Sequence, residues 1–432
     1  MIIYFDAQAL IKSLIEEPGS ISINNCLMYD IIKMLADKIS CNVKSTYVNR
    51  KSQIRVKNML KTLTIENYKS IHNATIELSR INIFIGDNGC GKTNILETLV
   101  MASASKALVL DVEGLINRGV RIAKPNLTFS SFTGIRQQNK IIINLELQGD
   151  NDAKFEIPSI LSCDDDNNIY AVWKDESRLY FIDKTEIRHN VNNEERTITE
   201  PWIVLDVKQL TEYLIFNLNT EALKGFSSKS NRIPLGINGE GLDVLLSEFT
   251  EPEWKQLQKY NYLISWLEET FTDKKDSLKF KGYKLGRSNS ILYFKDKFMQ
   301  KKNNVFSAEN ANDGIVHVLF YLALFISHKT PSLFAIDNIE TYLNPRICRT
   351  LLKELIQLAK KNDKQALITT HNPSVLDGLN LHDDEQKLFV VSRNDDGKTQ
   401  TKHIRLKPKS DEKLKLSEMW MRGYLGGLPT NF

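Results

Sequence analysis

A chain of 432 residues has room for two domains, or for one large α/β domain that carries an insertion. Hydrophobic residues at 42% and charged residues at 25% exclude disordered and collagen-like classes, and no apolar run approaches the roughly 18 to 20 residues of a membrane span. Cys26, Cys41, Cys90, Cys163 and Cys348 are dispersed and never form a C-x-x-C pair, so neither a disulfide framework nor a zinc site is expected, and a net charge of +4 is too small to argue for nucleic acid by itself.

The opening MIIYFDAQALIKSLIEE lacks a basic n-region and a cleavage site, which makes a cytosolic location the expectation. Residues 1–58 read as a helical appendage, with NCLMYDIIKMLADKI at the i, i+3, i+4 apolar spacing. Asp6 in YFDA is the kind of residue that opens some metal nucleases, but so short a stretch cannot build such a domain.

From Met59 the pattern predicts strands at about Leu60–Glu66 and Ala74–Leu78, then a buried strand at Ile81–Ile85. Gly86, Gly91, Lys92 and Thr93 follow at the G-x-x-x-x-G-K-T spacing, and Asn94–Leu99 opens an amphipathic helix, so the loop has the strand-loop-helix context of a phosphate site. Glycine at Gly86, Gly89 and Gly91 lets backbone N–H groups close on phosphate oxygens, with Asn88, Cys90 and Asn94 completing the candidate lining. Lys92 would face the β/γ-phosphates, the Thr93 hydroxyl would hold Mg²⁺, and the helix N-terminus adds positive potential.

The succession IENYKSI, IEL and INIFIGDNGCGKTNILE resembles the N-terminal half of ABC-type ATPase heads of the SMC/RecF/OLD-like group. The resemblance implies an α/β fold, a P-loop NTPase head of ABC type with an inserted helical lobe, and ATP and Mg²⁺ as cofactors. It also implies that Asn67–Ser70 lies beside the nucleotide, which makes Lys69 a candidate contact; a solvated turn lysine is the alternative. Heads of this group place a glutamine near Mg²⁺, and Gln137, Gln138 and Gln148 are all available.

Lys140–Leu147 and Lys154–Ile157 read as a hairpin around GDND. Beyond it helical stretches are predicted around Val207–Phe216, Gly239–Glu248 and Glu251–Thr270, without the sustained heptads of a long coiled coil. FNLNTEALKG and PLGINGEGLDVLLSEF resemble the lobe of RecF/OLD-like ATPases. Lys274–Lys302 holds ten Lys or Arg against Asp276 and Asp296, interleaved with Phe280, Tyr283, Tyr293, Phe294 and Phe298. Such a stretch is first an amphipathic hairpin with its aromatics in the core, and second a strip able to track a nucleic-acid backbone.

Asn312, Asp313 and Gly314 open an apolar helix and look like the signature loop of ABC-type ATPases, which offers N–H groups to the γ-phosphate held by an opposite protomer. Leu333–Ile336 reads as a buried strand ending in Asp337, the Walker B position and a second candidate Mg²⁺ ligand. Asn338 stands where the group normally has the glutamate that activates water; Glu340 lies in the same turn. Gln365–Thr370 is another predicted strand, with His371 at its end in the position of the switch histidine, and Lys387–Ser392 and Thr401–Leu406 are joined by the turn RNDDGKT.

The expected division is an appendage at 1–58, the first half of the head at 59–157, the lobe at 158–305 and the second half at 306–432. Fewer than 50 residues follow Gln386, too few for a Toprim nuclease unit, so any nuclease is expected to be a separate protein. The tail LKLSEMWMRGYLGGLPTNF resembles standalone RecF/OLD-like ATPases from bacterial defence loci. The resulting expectation is a slow ATPase whose ATP-driven dimerisation regulates or recruits a separate, nuclease-like effector in anti-phage defence. A RecF-like DNA-repair ATPase and a non-hydrolysing nucleotide-dependent scaffold are the competitors.

Overall fold

The computed structural model describes residues 59–149, 154–177, 208–226, 235–406 and 414–428, and the backbone of a hairpin formed by Ile187–Val191 and Glu194–Ile198. The appendage expected at 1–58 lies outside the described residues.

Strands β1 (Met59–Tyr68), β2 (Ile71–Glu77), β4 (Ile141–Gln148), β5 (Lys154–Cys163) and β6 (Trp173–Asp175) build an antiparallel sheet in the order β2-β1-β4-β5-β6. A second sheet has the order β16-β15-β3-β14-β13-β9, from β3 (Ile81–Ile85), β9 (Ile215–Phe216), β13 (Leu333–Ile336), β14 (Gln365–Thr369), β15 (Gln386–Arg393) and β16 (Thr399–Ile404). All its strands run parallel except β16. Strand β3 is buried at every position because both faces of the parallel sheet are covered, which is why INIFI shows no polar alternation of the outer kind. Ile81, Ile83 and Ile85 enter one core while Phe84 enters the other, stacked on Phe389.

Helix α1 (Lys92–Lys106) lies between the two sheets and is buried on all sides from Ile95 to Ser105. Such a helix cannot be amphipathic, so the outward face expected after Asn94 is absent. On the opposite side of the parallel sheet, α2 (Leu242–Ser247) and α3 (Glu251–Gln258) flank α4 (Asp313–Ile326), which is buried throughout from Ile315 to Ile326. There Phe216 meets Phe320 edge-on at 5.3 Å, and Phe325 meets Phe334 at 5.0 Å. Asn312 caps α4 by accepting from the Ile315 N–H at 3.0 Å, and Asn344 caps α5 (Pro345–Lys361) by accepting from Ile347 at 2.9 Å.

Two predicted helices are shorter than their apolar spacing suggested. Val207–Phe216 holds only a turn at Lys208–Thr211, because Ile215 and Phe216 are recruited as an edge strand opposite Ala335 and Ile336. Glu251–Thr270 ends as a helix at Gln258, since β10 (Leu267–Thr272) pairs with β11 (Leu292–Asp296), which pairs with β12 (Val305–Ser307). The Lys274–Lys302 stretch divides accordingly. Tyr293 and Phe294 are buried, and Lys284 is buried as well, donating to the Ser290 carbonyl at 2.6 Å and pairing with Asp276 at 3.0 Å, whereas Phe280 and Phe298 are exposed. Among the described residues no helix is long and apolar enough to cross a membrane.

Candidate functional site

The phosphate loop leaves the end of β3 and enters α1, as its sequence requires. Gly86 has φ 149°, and a Cβ there would stand 2.0 Å from the Val391 carbonyl of β15; at Gly91, with φ 110°, it would stand 2.3 Å from the Thr399 hydroxyl of β16. The loop therefore lies against the β15–β16 hairpin too closely for any side chain at these two positions. Polar contacts hold it there. Thr399 Oγ1 donates to the Cys90 carbonyl at 2.8 Å and lies 2.7 Å from Ser70 Oγ, which accepts from Asn94 Nδ2 at 2.8 Å. Arg393 Nε donates to the Gly89 carbonyl at 2.9 Å, while Asn88 and Gly89 face solvent.

Lys92 is buried and donates through Nζ to the carbonyls of Gly86 at 3.0 Å and Asp87 at 2.8 Å, so its charge sits inside the curl of the loop. The next residue, Thr93, donates to Asp337 Oδ2 at 3.1 Å. Asp337 follows β13, and Thr369 from neighbouring β14 donates to its Oδ1. Thr93 and Asp337 thus present two hard oxygen donors side by side at the loop mouth, a pair that suits Mg²⁺ when the remaining ligands are phosphate oxygens and water.

Asn338 adopts φ 58°, a left-handed conformation that asparagine tolerates well, and its N–H donates to Thr369 Oγ1 at 2.9 Å. Glu340 Oε1 accepts the His371 N–H at 2.8 Å, tying the Walker B turn to the end of β14, while Oε2 is buried without a hydrogen-bond partner. The Glu340 charge is felt by the buried Tyr321 hydroxyl and by the Cys348 thiol, which burial and that charge push up to about 12. His371 stands exposed at the mouth, where partial desolvation and then the Lys92 charge lower its pKa, keeping the imidazole neutral near pH 7.

Lys69 is neither solvated nor free. It pairs at 2.6 Å with Glu97, a fully buried carboxylate in the second turn of α1 that also accepts from Arg121 Nε at 2.8 Å and lies 3.2 Å from the Tyr68 hydroxyl. The two cations outweigh burial and hold the Glu97 carboxyl below its usual range. Arg121, which sequence reasoning missed, reaches from this pair to Asn94 Oδ1 at 3.0 Å with its side chain largely exposed, and feels the charge of Asp337. It sits in an irregular loop with no motif around it. Of the three candidate glutamines, Gln148 lies at the C-terminal end of β4, the central strand of its sheet, near Lys364 and Gln365 at the start of β14. Gln137 and Gln138 belong to the loop held by Asn67, whose Nδ2 donates to the Gln138 carbonyl at 2.9 Å.

The structure does not bring Asn312, Asp313 and Gly314 to this loop. They line a separate cleft of about 760 Å³ with Tyr262, Trp266, Tyr342 and Arg346, and no phosphate-loop residue contributes to its wall. Asp313 is paired with Lys224 at 2.7 Å.

With this geometry in place, comparisons with known proteins agree on one group. A family profile described as "AAA domain, putative AbiEii toxin, Type IV TA system" matches residues 245–377, the part that holds the Asn312–Gly314 loop, Asp337 and His371. The chain is 46% identical over 50 residues to a DNA replication and repair protein RecF of Ruminiclostridium cellulolyticum, and 44% identical over 50 residues to that of Phocaeicola vulgatus. These matches cover 11% of this chain and only 13% and 14% of the RecF chains. An SMC head solved bound to the C-winged helix domain of ScpA shares the fold at a TM-score of 0.52 and 15% identity, over 80% of this chain and 98% of that one. The loop at Gly86–Thr93, the acidic strand end at Asp337 and the shared head fold make this chain similar to the ABC-type P-loop ATPases of the SMC/RecF-like group.

Proposed function

We propose that the chain binds ATP with Mg²⁺ in the loop Gly86–Thr93 and hydrolyses it slowly, two copies closing on the nucleotide to form the active unit. The meeting of Thr93 and Asp337 at 3.1 Å, beside the enclosed Lys92 ammonium, carries this reading. Mg²⁺ held by Thr93 and Asp337 would neutralise charge on the β- and γ-phosphates. Lys92 would exchange its two carbonyl contacts for phosphate oxygens, and the loop N–H groups, including those of Asn88, Gly89, Cys90 and Gly91, would cradle the chain of phosphates. Arg121, poised beside Asn94, supplies a further cation, and His371 a neutral hydrogen-bonding group for the γ-phosphate. Asn338 can orient the attacking water but cannot take its proton. The separate cleft at Asn312–Gly314 supports a site completed in trans, by the α4 N-terminus of a second copy.

Lys92→Ala removes the charge within the loop and is expected to weaken ATP binding at least roughly a hundredfold, by the scale of lost charge-assisted hydrogen bonds. Calorimetric titration with ATP and Mg²⁺ tests this; wild-type affinity in the variant would overturn the reading. The division into a head at 59–157 and 306–432 with a lobe at 158–305 is part of the same proposal. The AbiEii-type profile supports a role in defence; a separate, nuclease-like effector in anti-phage defence is part of the same proposal, which co-purification from cells under phage challenge would test. The RecF matches favour, as second reading, a DNA-repair ATPase. Loss of phage protection with repair intact in a Lys92→Ala strain selects the first, and the reverse selects the second.

A further inference from the structure

Glu97 is a buried acid that the reaction proposed above does not use. It belongs to the second turn of α1, with its side chain wholly enclosed. Oε1 accepts the Arg121 backbone N–H at 3.1 Å and Arg121 Nε at 2.8 Å, while Oε2 accepts Lys69 Nζ at 2.6 Å and the Tyr68 hydroxyl at 3.2 Å. Two donors on each oxygen satisfy the carboxylate. Burial alone would raise its pKa; Lys69 and Arg121 outweigh burial, so the group stays ionised.

One carboxylate thereby joins three segments: the turn between β1 and β2, the helix of the phosphate loop, and the irregular loop after Val120. Lys69 adopts a left-handed backbone at φ 47°, which costs a lysine free energy, and its N–H donates to the Thr128 carbonyl at 2.7 Å. Its ammonium also reaches the Arg121 carbonyl at 3.3 Å. From Arg121 the contacts continue round the helix N-terminus: Nη2 donates to Asn94 Oδ1 at 3.0 Å, Asn94 Nδ2 donates to Ser70 Oγ at 2.8 Å, and Ser70 Oγ lies 2.7 Å from the Thr399 hydroxyl that holds Cys90. The Arg121 side chain is 64% exposed, so without Glu97 nothing buried would fix its stem.

We infer that Glu97 is the positioning residue of the site, holding the Lys69 ammonium and the Arg121 guanidinium beside the α1 N-terminus as a preformed cation pair for the phosphate chain of ATP. The inference rests on the reading of Gly86–Thr93 as an ATP site. One carboxylate between two cations cancels their mutual repulsion and still leaves net positive charge for the incoming anion. The rotamer entropy of both long side chains is lost on folding, so it is not lost again on binding. The pair meets the helix at Asn94, whereas Asp337, Glu340 and His371 gather on the Thr93 side. It therefore grips the nucleotide equally before and during the reaction, an effect that belongs to KM and not to kcat.

The test measures ATP affinity by calorimetry and turnover by phosphate release, both on the full chain. Glu97→Gln raises Kd and KM for ATP together by at least roughly tenfold, since an amide cannot accept from four donors, and leaves kcat within about twofold. K69M/R121M reproduces the rise. Adding Glu97→Gln to that variant changes neither constant, because Glu97 acts only through the two cations. The melting temperature moves the other way: K69M/R121M strands a buried carboxylate and melts below the wild type, and the triple variant regains part of the loss. A merely structural Glu97 would leave the triple variant both less stable and weaker for ATP. Wild-type KM in Glu97→Gln or in K69M/R121M, or a further rise of KM in the triple variant, overturns the inference and leaves the ATP site standing. Absence of ATP binding by the wild type overturns the site and this inference with it. Should Glu97→Gln fail to fold, K69M/R121M against the triple variant decides by the same measure.

Discussion

Asn338 is held in the left-handed region at φ 58° by its N–H bond to Thr369 and by the turn that follows β13. Asn338→Glu would supply the missing proton acceptor, and general-base assistance of about 10²- to 10⁴-fold sets the ceiling on what is gained. A glutamate backbone there costs about 1–2 kcal/mol, so the variant is expected to turn ATP over faster and to melt at a lower temperature. Steady-state phosphate release and a thermal melt on the same sample measure both. Glu340→Gln keeps an acceptor for the His371 N–H but removes the charge, so turnover should fall while ATP affinity holds; an unchanged rate would show that Glu340 only ties the two strand ends together. The phosphate-loop residues were legible because they are contiguous and each is needed for a stated reason. Thr369, Thr399 and Arg121 were not, since each acts by pairing with a residue distant in sequence and no local pattern marks it.

Among the elements, β1, β2, β3, β4, β13, β14, β15 and β16 fall within a few residues of their predicted bounds, because full burial or alternation leaves a short-range signal, whereas β5 runs on to Cys163 and β9 lies in a predicted helix. Segments of the lobe read less well. The Ile215–Phe216 pair suits a helix or a strand equally, and only the free edge of β13 decides between them. Helix α4 carries a feature that its sequence hides. His317 lies wholly within the buried face, its Nδ1 2.8 Å from the Asp313 carbonyl, its ring against Tyr342 and its Nε2 without a partner. Burial pushes its pKa below the ordinary 6.5, which the Asp313 carbonyl only partly offsets. The unfolded chain therefore takes up the proton first. The stability that the neutral ring contributes is fully present above about pH 6.5 and drains away as the pH falls towards the depressed folded value. The melting temperature should drop between pH 7.5 and pH 5.5, and His317→Phe should flatten that dependence; His371 and His403, shifted the same way, contribute to what remains.

At the scale of the molecule, the phosphate loop and the Asn312–Gly314 loop stay apart within one copy, since no phosphate-loop residue lines the cleft at Asn312–Gly314. A Cβ at Gly314 would stand 3.3 Å from the Tyr342 carbonyl, so even a small side chain is tight and an arginine must project into the cleft. Gly314→Arg is expected to bind ATP like the wild type yet to remain a monomer and fail to turn over, as sedimentation with ATP and Mg²⁺ would show. Wild-type turnover by that variant would argue that the site is complete within one chain.

The hydroxyl of Thr399 that steadies the loop at Cys90 arrives 309 positions later in the chain. Synthesis at about 5–20 residues per second would leave the loop made, but without its backing hairpin, for roughly 15 to 60 seconds on the ribosome. During that interval Gly86 and Gly91, shaped to lie against strands not yet translated, have nothing to hold their left-handed backbone. A nascent chain arrested before β16 should therefore ignore ATP, so nucleotide binding would report that the β15–β16 hairpin has been made.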